Sequence, residues 1–202
     1  RFIFDGMPVR GVLVRLTDAW QEILRRRAAH AEHQAYPSPV AELLGEMTAA
    51  AVLMQANVKF DGTLVFQIFG DGPVKLVVAE VRSDLTLRST ATVVGEVTAD
   101  ATFAAMVNAQ QGGRCAITLD ANHKHPGQQA YQGVVPLVDS MGEGLTSLRQ
   151  ALEHYMMQSE QLATTLVLAA NMQVAAGLLI QRMPVQGVAN LAGRGKTGPL
   201  DM

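Results

Sequence analysis

The 202-residue sequence has little of what disulfide cross-linking, membrane insertion or nucleic-acid binding requires. Its single cysteine, Cys115, excludes a disulfide framework within the chain and a zinc site built from several of its thiolates. No apolar run approaches the ~20 residues of a membrane-spanning helix, and the first residues lack the apolar segment of a signal peptide. The 16 basic residues are balanced by 18 acidic ones, so no broad basic face is expected. We therefore expect a cytoplasmic protein that binds neither membrane nor nucleic acid.

Charged residues are also scarce, at 17%, whereas hydrophobic residues make up 49% of the chain. A chain this apolar does not remain disordered, because it buries enough surface to offset the conformational entropy lost on folding. A chain of this length forms one or two domains with a hydrophobic core. The spacing of the apolar residues then predicts the individual elements.

The N-terminal quarter predicts a short strand followed by two helices. Residues Val9–Leu16 form the strand, in which Val12, Val14 and Leu16 alternate with Leu13 and Arg15. Thr17 is a suitable cap for the first helix, whose apolar stripe is Trp20, Ile23, Leu24 and Ala28. Prolines 37 and 39 end this helix, and Ser38 is placed to cap a second, longer helix. The second helix is expected to bury one face, formed by Val40, Leu43, Leu44, Met47, Ala51 and Met54.

The middle of the chain changes to the spacing of antiparallel strands. Asp61-Gly62 is typical of a tight turn, so we expect a hairpin between residues 58–60 and 63–69. Further strands are expected at residues 74–81 and 85–94, each preceded by a turn. One face of the last strand is formed by Leu85, Leu87, Ser89, Ala91 and Val93. Strands this close along the chain predict an antiparallel meander.

The second half of the chain predicts more strands with helices between them. Asp100 is expected to cap a short helix through Phe103 and Val107, and a longer amphipathic helix contains Leu148 and Tyr155. The remaining strands are expected at residues 114–119, 129–137, 164–168 and 178–183. The predicted class is therefore α+β, with antiparallel sheets, inserted helices and an N-terminal helical pair. Residues 1–183 are expected to form one core domain, and 184–202 the start of a linker or a fragment.

One short string in the tail invites a nucleotide-binding interpretation. Gly195-Lys196-Thr197, within the string that starts at Gly193, matches the end of a phosphate-binding loop. The full motif needs a glycine where Asn190 stands, together with a preceding strand and a following helix. Because all of these are missing, no nucleotide site is predicted.

Two histidine pairs have spacings that permit a shared metal ion. They are His30 with His33 on the first helix and His123 with His125 in a loop. Neither pair has a cysteine or glutamate beside it in a known ligand pattern, so solvated polar positions are the preferred interpretation.

The remaining candidates for chemistry are a lone thiol, a basic run and the methionines. Cys115 beside Arg114 has a possible thiolate-stabilising neighbour, but a lone cysteine is more often a small buried hydrophobe. The run Arg25-Arg26-Arg27 is expected to be solvated, because neighbours on a helix point in different directions. Met47, Met54 and Met106 fall on core-facing stripes. We therefore predict no catalytic residue, no cofactor-binding residue and no metal ligand in this chain.

Several short strings nevertheless occur in a specific order along the chain. They are Val9-Arg10-Gly11, Tyr36-Pro37-x-Pro39-Val40, Lys59-Phe60-Asp61-Gly62, Gly70-Asp71-Gly72-Pro73, Tyr131-Gln132-Gly133-Val134-Val135, Tyr155-x-x-x-Ser159-Glu160-Gln161-Leu162-x-Thr164, Ala176-Gly177 and Met183-Pro184. The ordered set resembles the redox-regulated heat-shock holdases, the thirty-three-kilodalton chaperonin family. Turn glycines and apolar residues of this kind describe a scaffold and a surface, with no reaction centre.

The resemblance implies an N-terminal α+β body, a helical linker and a C-terminal lobe in which four cysteines hold zinc while reduced. Oxidation of that lobe is implied to release zinc and to uncover apolar surface on the body and linker. This chain stops near the linker and lacks the paired cysteines, so it binds no zinc itself. The implied partners are unfolded client proteins and a second copy, as a homodimer or a strand-exchanged dimer. No nucleotide is implied.

The prediction is therefore a redox-regulated, ATP-independent chaperone that binds unfolded or aggregation-prone proteins under oxidative and heat stress, and not an enzyme. The alternative is a small-molecule-binding or enzymatic α+β domain that uses Cys115 and Arg114 in a cleft, which requires these groups to converge. A third interpretation is an obligate dimer whose apolar surface serves assembly alone.

Overall fold

The computed structural model describes residues 1–30, 34–58, 60–123, 127 and 129–183. In these residues the elements follow in the order β1 Phe2–Ile3, β2 Val9–Leu16, α1 Asp18–Ala28, α2 Ser38–Asn57, β3 Gly62–Phe69, β4 Val74–Arg82, β5 Leu87–Val93, α3 Phe103–Val107, β6 Arg114–Ala121, β7 Tyr131–Pro136, α4 Leu148–Glu160, β8 Thr164–Ala170 and β9 Ala175–Arg182. Residues 184–202, where the linker is predicted, lie outside the described part of the chain.

The strands pair into two antiparallel sheets, in the orders β1-β2-β9-β8 and β5-β4-β3-β6-β7. In the four-stranded sheet, β2 pairs along its whole length with β9, from Val9 opposite Arg182 to Leu16 opposite Ala175. The predicted meander is the β3–β4–β5 part of the five-stranded sheet. The α+β class, the inserted helices and the helical pair α1–α2 are confirmed, and most predicted strands end within a few residues of the observed ones.

Helix α2 contacts strands of both sheets and forms the centre of the core. It begins at Ser38 itself, and fifteen of its twenty residues are buried. The six residues of the predicted apolar face are all buried, and residues on the other sides of the helix are buried as well. A helix enclosed on all sides needs apolar or small residues all round, and Ala49, Ala50 and Ala51 supply them on successive faces.

The predicted hairpin around Asp61-Gly62 was wrong. Helix α2 runs on to Asn57, and β3 pairs with β4 and β6. Asp61 instead joins neighbouring strand ends, because its Oδ1 accepts hydrogen bonds from Ser83 Oγ at 2.9 Å and Asn122 Nδ2 at 2.7 Å. Lys59, in the middle of the predicted first strand, lies outside the described residues.

Three local details differ from the sequence expectations. The cap of α3 is Thr102 and not Asp100, whose carboxylate accepts a hydrogen bond from Thr98 Oγ1 at 2.7 Å. Thr17 precedes α1, but its side chain makes no capping hydrogen bond. Leu85 has a φ of 65° and lies in the turn before β5, so it does not belong to that strand's face. These differences move ends of elements without changing the fold.

Candidate functional site

The four-stranded sheet has one face against the core and one face directed outwards, and we call the second the outer face. Side chains alternate between the two faces along each strand. Val12, Leu166 and Leu179 point inwards and are buried. The residues between them point outwards, so the sequence places apolar side chains on both faces of this sheet.

The centre of the outer face is a row of three apolar residues from three strands. Leu13 on β2 lies opposite Leu178 on β9, which lies opposite Val167 on β8. Leu13 is 68% exposed and Val167 is 58% exposed. No described element therefore covers the centre of the outer face.

The N-terminal residues extend the apolar surface at the β2 edge. Phe2 pairs with Gly11, which is in register with Ile180. Gly11 leaves room for the Phe2 ring, because a Cβ at residue 11 would lie within 2.8 Å of Phe2 Cε1. The Phe2 ring also packs edge-on against Phe4, with centroids 5.5 Å apart. The outer face thus has an aromatic border on one side.

The charges on the outer face lie at its two ends. Arg15 is in register with Ala176 and Ala169, and Arg182 lies opposite Val9. Among the outward-pointing residues of β1, β2, β8 and β9, none is acidic. The face therefore has a continuous apolar centre between two basic ends.

A contiguous exposed apolar surface of this kind is typical of a binding site, whereas single exposed apolar residues are ordinary. Each 100 Å² of apolar area removed from water contributes about 2.5 kcal/mol. Apolar contact has no directional requirement, so one face can accept partners of different sequence. This arrangement supports binding through apolar contact.

Cys115 does not form a reactive site with Arg114. The thiol is fully buried, and desolvation raises its pKa to about 12. Arg114 is exposed, so consecutive side chains of β6 point to different environments. The prediction of a small buried hydrophobe is confirmed, and the convergence required by the alternative enzymatic interpretation is not observed.

The predicted histidine pairs lie only partly within the described residues. The predicted position of His30 on the first helix was wrong, because α1 ends at Ala28. His123 is exposed, with Nε2 3.9 Å from an Asp61 carboxylate oxygen. His33 and His125 lie outside the described residues, as do Asn190 and Gly193 to Thr197 of the phosphate-loop string. In the described ranges no group of three or more His, Cys, Asp or Glu side chains is placed to hold a metal ion.

The core methionines and two of the three residues of the basic run are placed as expected, whereas Arg27 is half-buried against the Tyr36 ring. Arg25 and Arg26 are exposed and contact the Glu22 carboxylate at 2.6 and 2.7 Å. Their hydrogen bonds lower the pKa of Glu22 to about 2. The methionines on the core-facing stripes, Met47, Met54 and Met106, are buried.

Sequence reasoning missed the outer face. The signal was present in β2 and β9, because Leu13 and Leu178 are apolar at positions that alternate with buried apolar residues. A strand with apolar residues at consecutive positions has two apolar faces, and each face is either covered by another element or available for binding. Which residues form one surface depends on strand register, and register is fixed by pairing between distant segments.

Comparison with known proteins assigns most of the chain to one family. The family model described as Hsp33 protein matches residues 1–196. The 33 kDa chaperonin of Chromobacterium violaceum is 46% identical over 185 residues, which are 91% of this chain and 56% of the relative. The 33 kDa chaperonin of Methylobacillus flagellatus is 41% identical over 92% of this chain and 57% of its own length. The chain therefore spans little more than half the length of these relatives.

A solved structure has the same fold. The crystal structure of the 33 kDa chaperonin of Thermotoga maritima superimposes with a TM-score of 0.68 and covers 96% of this chain and 69% of the other, at 19% identity. In the described part of the chain, no helix combines the length and apolar character needed to cross a membrane.

Proposed function

The chain belongs to the Hsp33 protein family, and we propose that it forms the client-binding body of an ATP-independent holdase chaperone. The observation that carries the proposal is the uncovered outer face, with Leu13, Leu178 and Val167 in one row across three strands. An unfolded protein exposes apolar side chains, and covering them on this face removes apolar surface of both partners from water.

Binding in this way needs no chemical step by the chain. The rigid support is the core beneath the sheet, where Val12, Leu166 and Leu179 are buried. At about 25 cal/mol per Å², a few hundred Å² of apolar contact contributes about 5–10 kcal/mol, which is of the same order as the cost of association, so retention of a client grows with the apolar area that it covers. Holding a client therefore depends on exposure of the face and not on nucleotide hydrolysis.

Redox control is proposed to reside in the part of the protein beyond this chain. Cys115 is fully buried with its pKa raised to about 12, which keeps it as an unreactive thiol. The chain has one cysteine, and its described residues offer no cluster able to hold a metal. These residues therefore do not fit the zinc site implied by the family, and no step proposed for this chain involves zinc.

Family membership supports the remaining assignments without testing them. We propose that residues 1–183 form the body and that 184–202 begin the linker, that the protein acts in the cytoplasm, and that it is not an enzyme. Its partners are unfolded clients and a second copy of the chain, as a homodimer or a strand-exchanged dimer.

The experiment is aggregation of a thermally unfolding client, followed by light scattering, with the full-length protein added in its oxidised or reduced form. We expect the oxidised protein to suppress scattering at stoichiometric amounts without ATP, and the reduced protein to suppress it far less. Equal and negligible suppression by both forms would reject the proposal. Suppression that requires ATP would also reject it.

A further inference from the structure

A second surface, which we call the edge groove, lies between helix α1 and strand β5. It has a volume of about 630 Å³, within the range of binding clefts, and its lining includes Ile23, Tyr36, Leu85 and Leu87. It is lined by none of the outer-face residues, so it is a separate surface.

Strand β5 is an edge of the five-stranded sheet, and its free side faces the edge groove. The hydroxyl of Tyr36 accepts a hydrogen bond from the Ala91 N–H at 2.9 Å and lies 3.3 Å from the Ala91 carbonyl oxygen. Ala91 therefore directs its backbone groups away from β4. Because backbone direction alternates along an antiparallel strand, Leu87 and Ser89 direct their N–H and C=O groups to the same free side.

The other sheet edges are less available for pairing. Glu153 of α4 accepts a hydrogen bond from the Leu166 N–H of β8 at 2.8 Å. Strand β7 ends at Pro136, which has no N–H, and β1 has only two residues. An uncovered edge is a template for an added strand. Among these edges, β5 is the long one whose backbone N–H and C=O groups, at Leu87 and Ser89, face a groove.

The edge groove is basic although the whole chain has a net charge of −2. Its lining contains Arg26, Arg27 and Arg88 with the Glu22 carboxylate, and Arg88 is paired with Glu80 of β4 at 2.6 Å, so Arg26 and Arg27 supply the excess positive charge. Glu22 is shared with Arg25, which lies outside the groove lining. The Arg27 guanidinium lies 4.4 Å from the centre of the Tyr36 ring and donates to the Gln34 carbonyl, and neither contact neutralises its charge.

We propose that strand β5 accepts an extended acidic segment of a client protein as an added strand, with the segment's backbone pairing to Leu87 and Ser89 and its carboxylates facing Arg26 and Arg27. This inference rests on the proposed function, because the segment is taken to belong to an unfolded client. Backbone pairing supplies affinity for any extended chain, and the arginines select for acidic side chains. Nucleic acid would match the charge but would leave the free backbone groups of β5 unpaired.

The test uses the 202-residue chain and a fluorescent octapeptide of alternating glutamate and valine, with binding followed by anisotropy and by amide hydrogen exchange. We expect exchange at Leu87 and Ser89 to slow at least tenfold on saturation, while exchange at Arg88 and Thr90, which pair with β4, stays unchanged. The same peptide N-methylated at every residue is expected to bind at least tenfold more weakly, and so is a lysine–valine peptide. Arg26→Gln and Arg27→Gln are each expected to weaken binding severalfold, whereas Arg149→Gln, an exposed arginine on α4, leaves it unchanged.

Binding without protection at Leu87 and Ser89, or equal binding of the lysine and glutamate peptides, would overturn the inference. Client aggregation is measured on the same samples. Suppression of aggregation without peptide protection at β5 would overturn only the edge-groove site. Protection at β5 in a protein that never suppresses aggregation would overturn the holdase function and leave the peptide site standing.

Discussion

At the scale of single residues, Gly133 is a position where another side chain packs closely against the backbone. The sequence predicts such a close approach but does not identify the side chain. A Cβ at residue 133 would lie 2.6 Å from Oη of the buried Tyr155. The string around Gly133 predicts that a glycine is needed there. It does not show that the neighbour is an aromatic ring of α4, because that contact depends on how α4 packs on β7.

We expect Gly133→Ala to lower the free energy of unfolding by about 1–3 kcal/mol, because the added methyl group forces Tyr155 out of its packed position. Urea denaturation measures the change. Gly144→Ala is the matched control, since its Cβ would meet its nearest neighbour, Asn108, at 3.5 Å, and it is expected to change stability by less than about 1 kcal/mol. Equal effects of the two substitutions would contradict this interpretation.

A second residue-scale prediction concerns Glu46, which is partly buried on α2 one turn after Glu42. Burial and the Glu42 charge raise the pKa of Glu46 to about 7 from a reference of 4.5. The unfolded chain therefore loses its proton at lower pH than the folded chain, so stability falls as pH rises from about 4.5 to 7 and then levels off.

Glu46→Gln is expected to remove this part of the pH dependence. One pKa unit corresponds to about 1.4 kcal/mol, and partial exposure reduces the total, so we expect the variant to lose about 1–2 kcal/mol less than the wild type between pH 5 and pH 8. Unfolding by urea at the two pH values measures the difference. Parallel losses in both proteins would show that Glu46 does not carry the effect.

At the scale of elements, α2 shows where periodicity is informative and where it stops. Apolar residues at helical spacing predict the helix correctly, with its start one residue from the observed one. The spacing does not predict that a second sheet covers the opposite side. The same limit applies at Asp61-Gly62, where a turn-forming pair follows a helix and lies between strand ends that come together only in the folded chain.

We expect Leu53→Ala in α2 to cost about 2–5 kcal/mol of stability, because Leu53 is fully buried and its truncation leaves a cavity. Met157→Ala on α4 is the control, since Met157 is exposed, and its cost is expected to stay within about 0.5 kcal/mol. Thermal or urea unfolding of both variants tests whether α2 is the centre of the core. A small cost for Leu53→Ala would contradict that position.

At the scale of the whole molecule, the outer face is created by pairing between distant parts of the chain. Strand β2 near the N-terminus pairs with β9, about 170 residues later, and β9 pairs with β8. The sequence predicts all three strands and their apolar character. It does not predict that Leu13, Leu178 and Val167 form one row, because that requires the strand order and register. The expectation that the chain has no reaction centre rests on the single cysteine and the missing catalytic motifs, and it stays a prediction.

The most direct measurement compares substitutions on and off the outer face in the full-length protein, with light scattering of a thermally unfolding client as the readout. Leu13→Glu with Val167→Glu places two charges at the centre of the face, and Val94→Glu places one on an equally exposed apolar residue elsewhere (64%). Losing about 1.5–3 kcal/mol of apolar contact per residue predicts at least tenfold weaker client retention for the double variant and wild-type retention for Val94→Glu, with unchanged thermal stability in both. Wild-type retention by the double variant would contradict the central claim that this face holds the client.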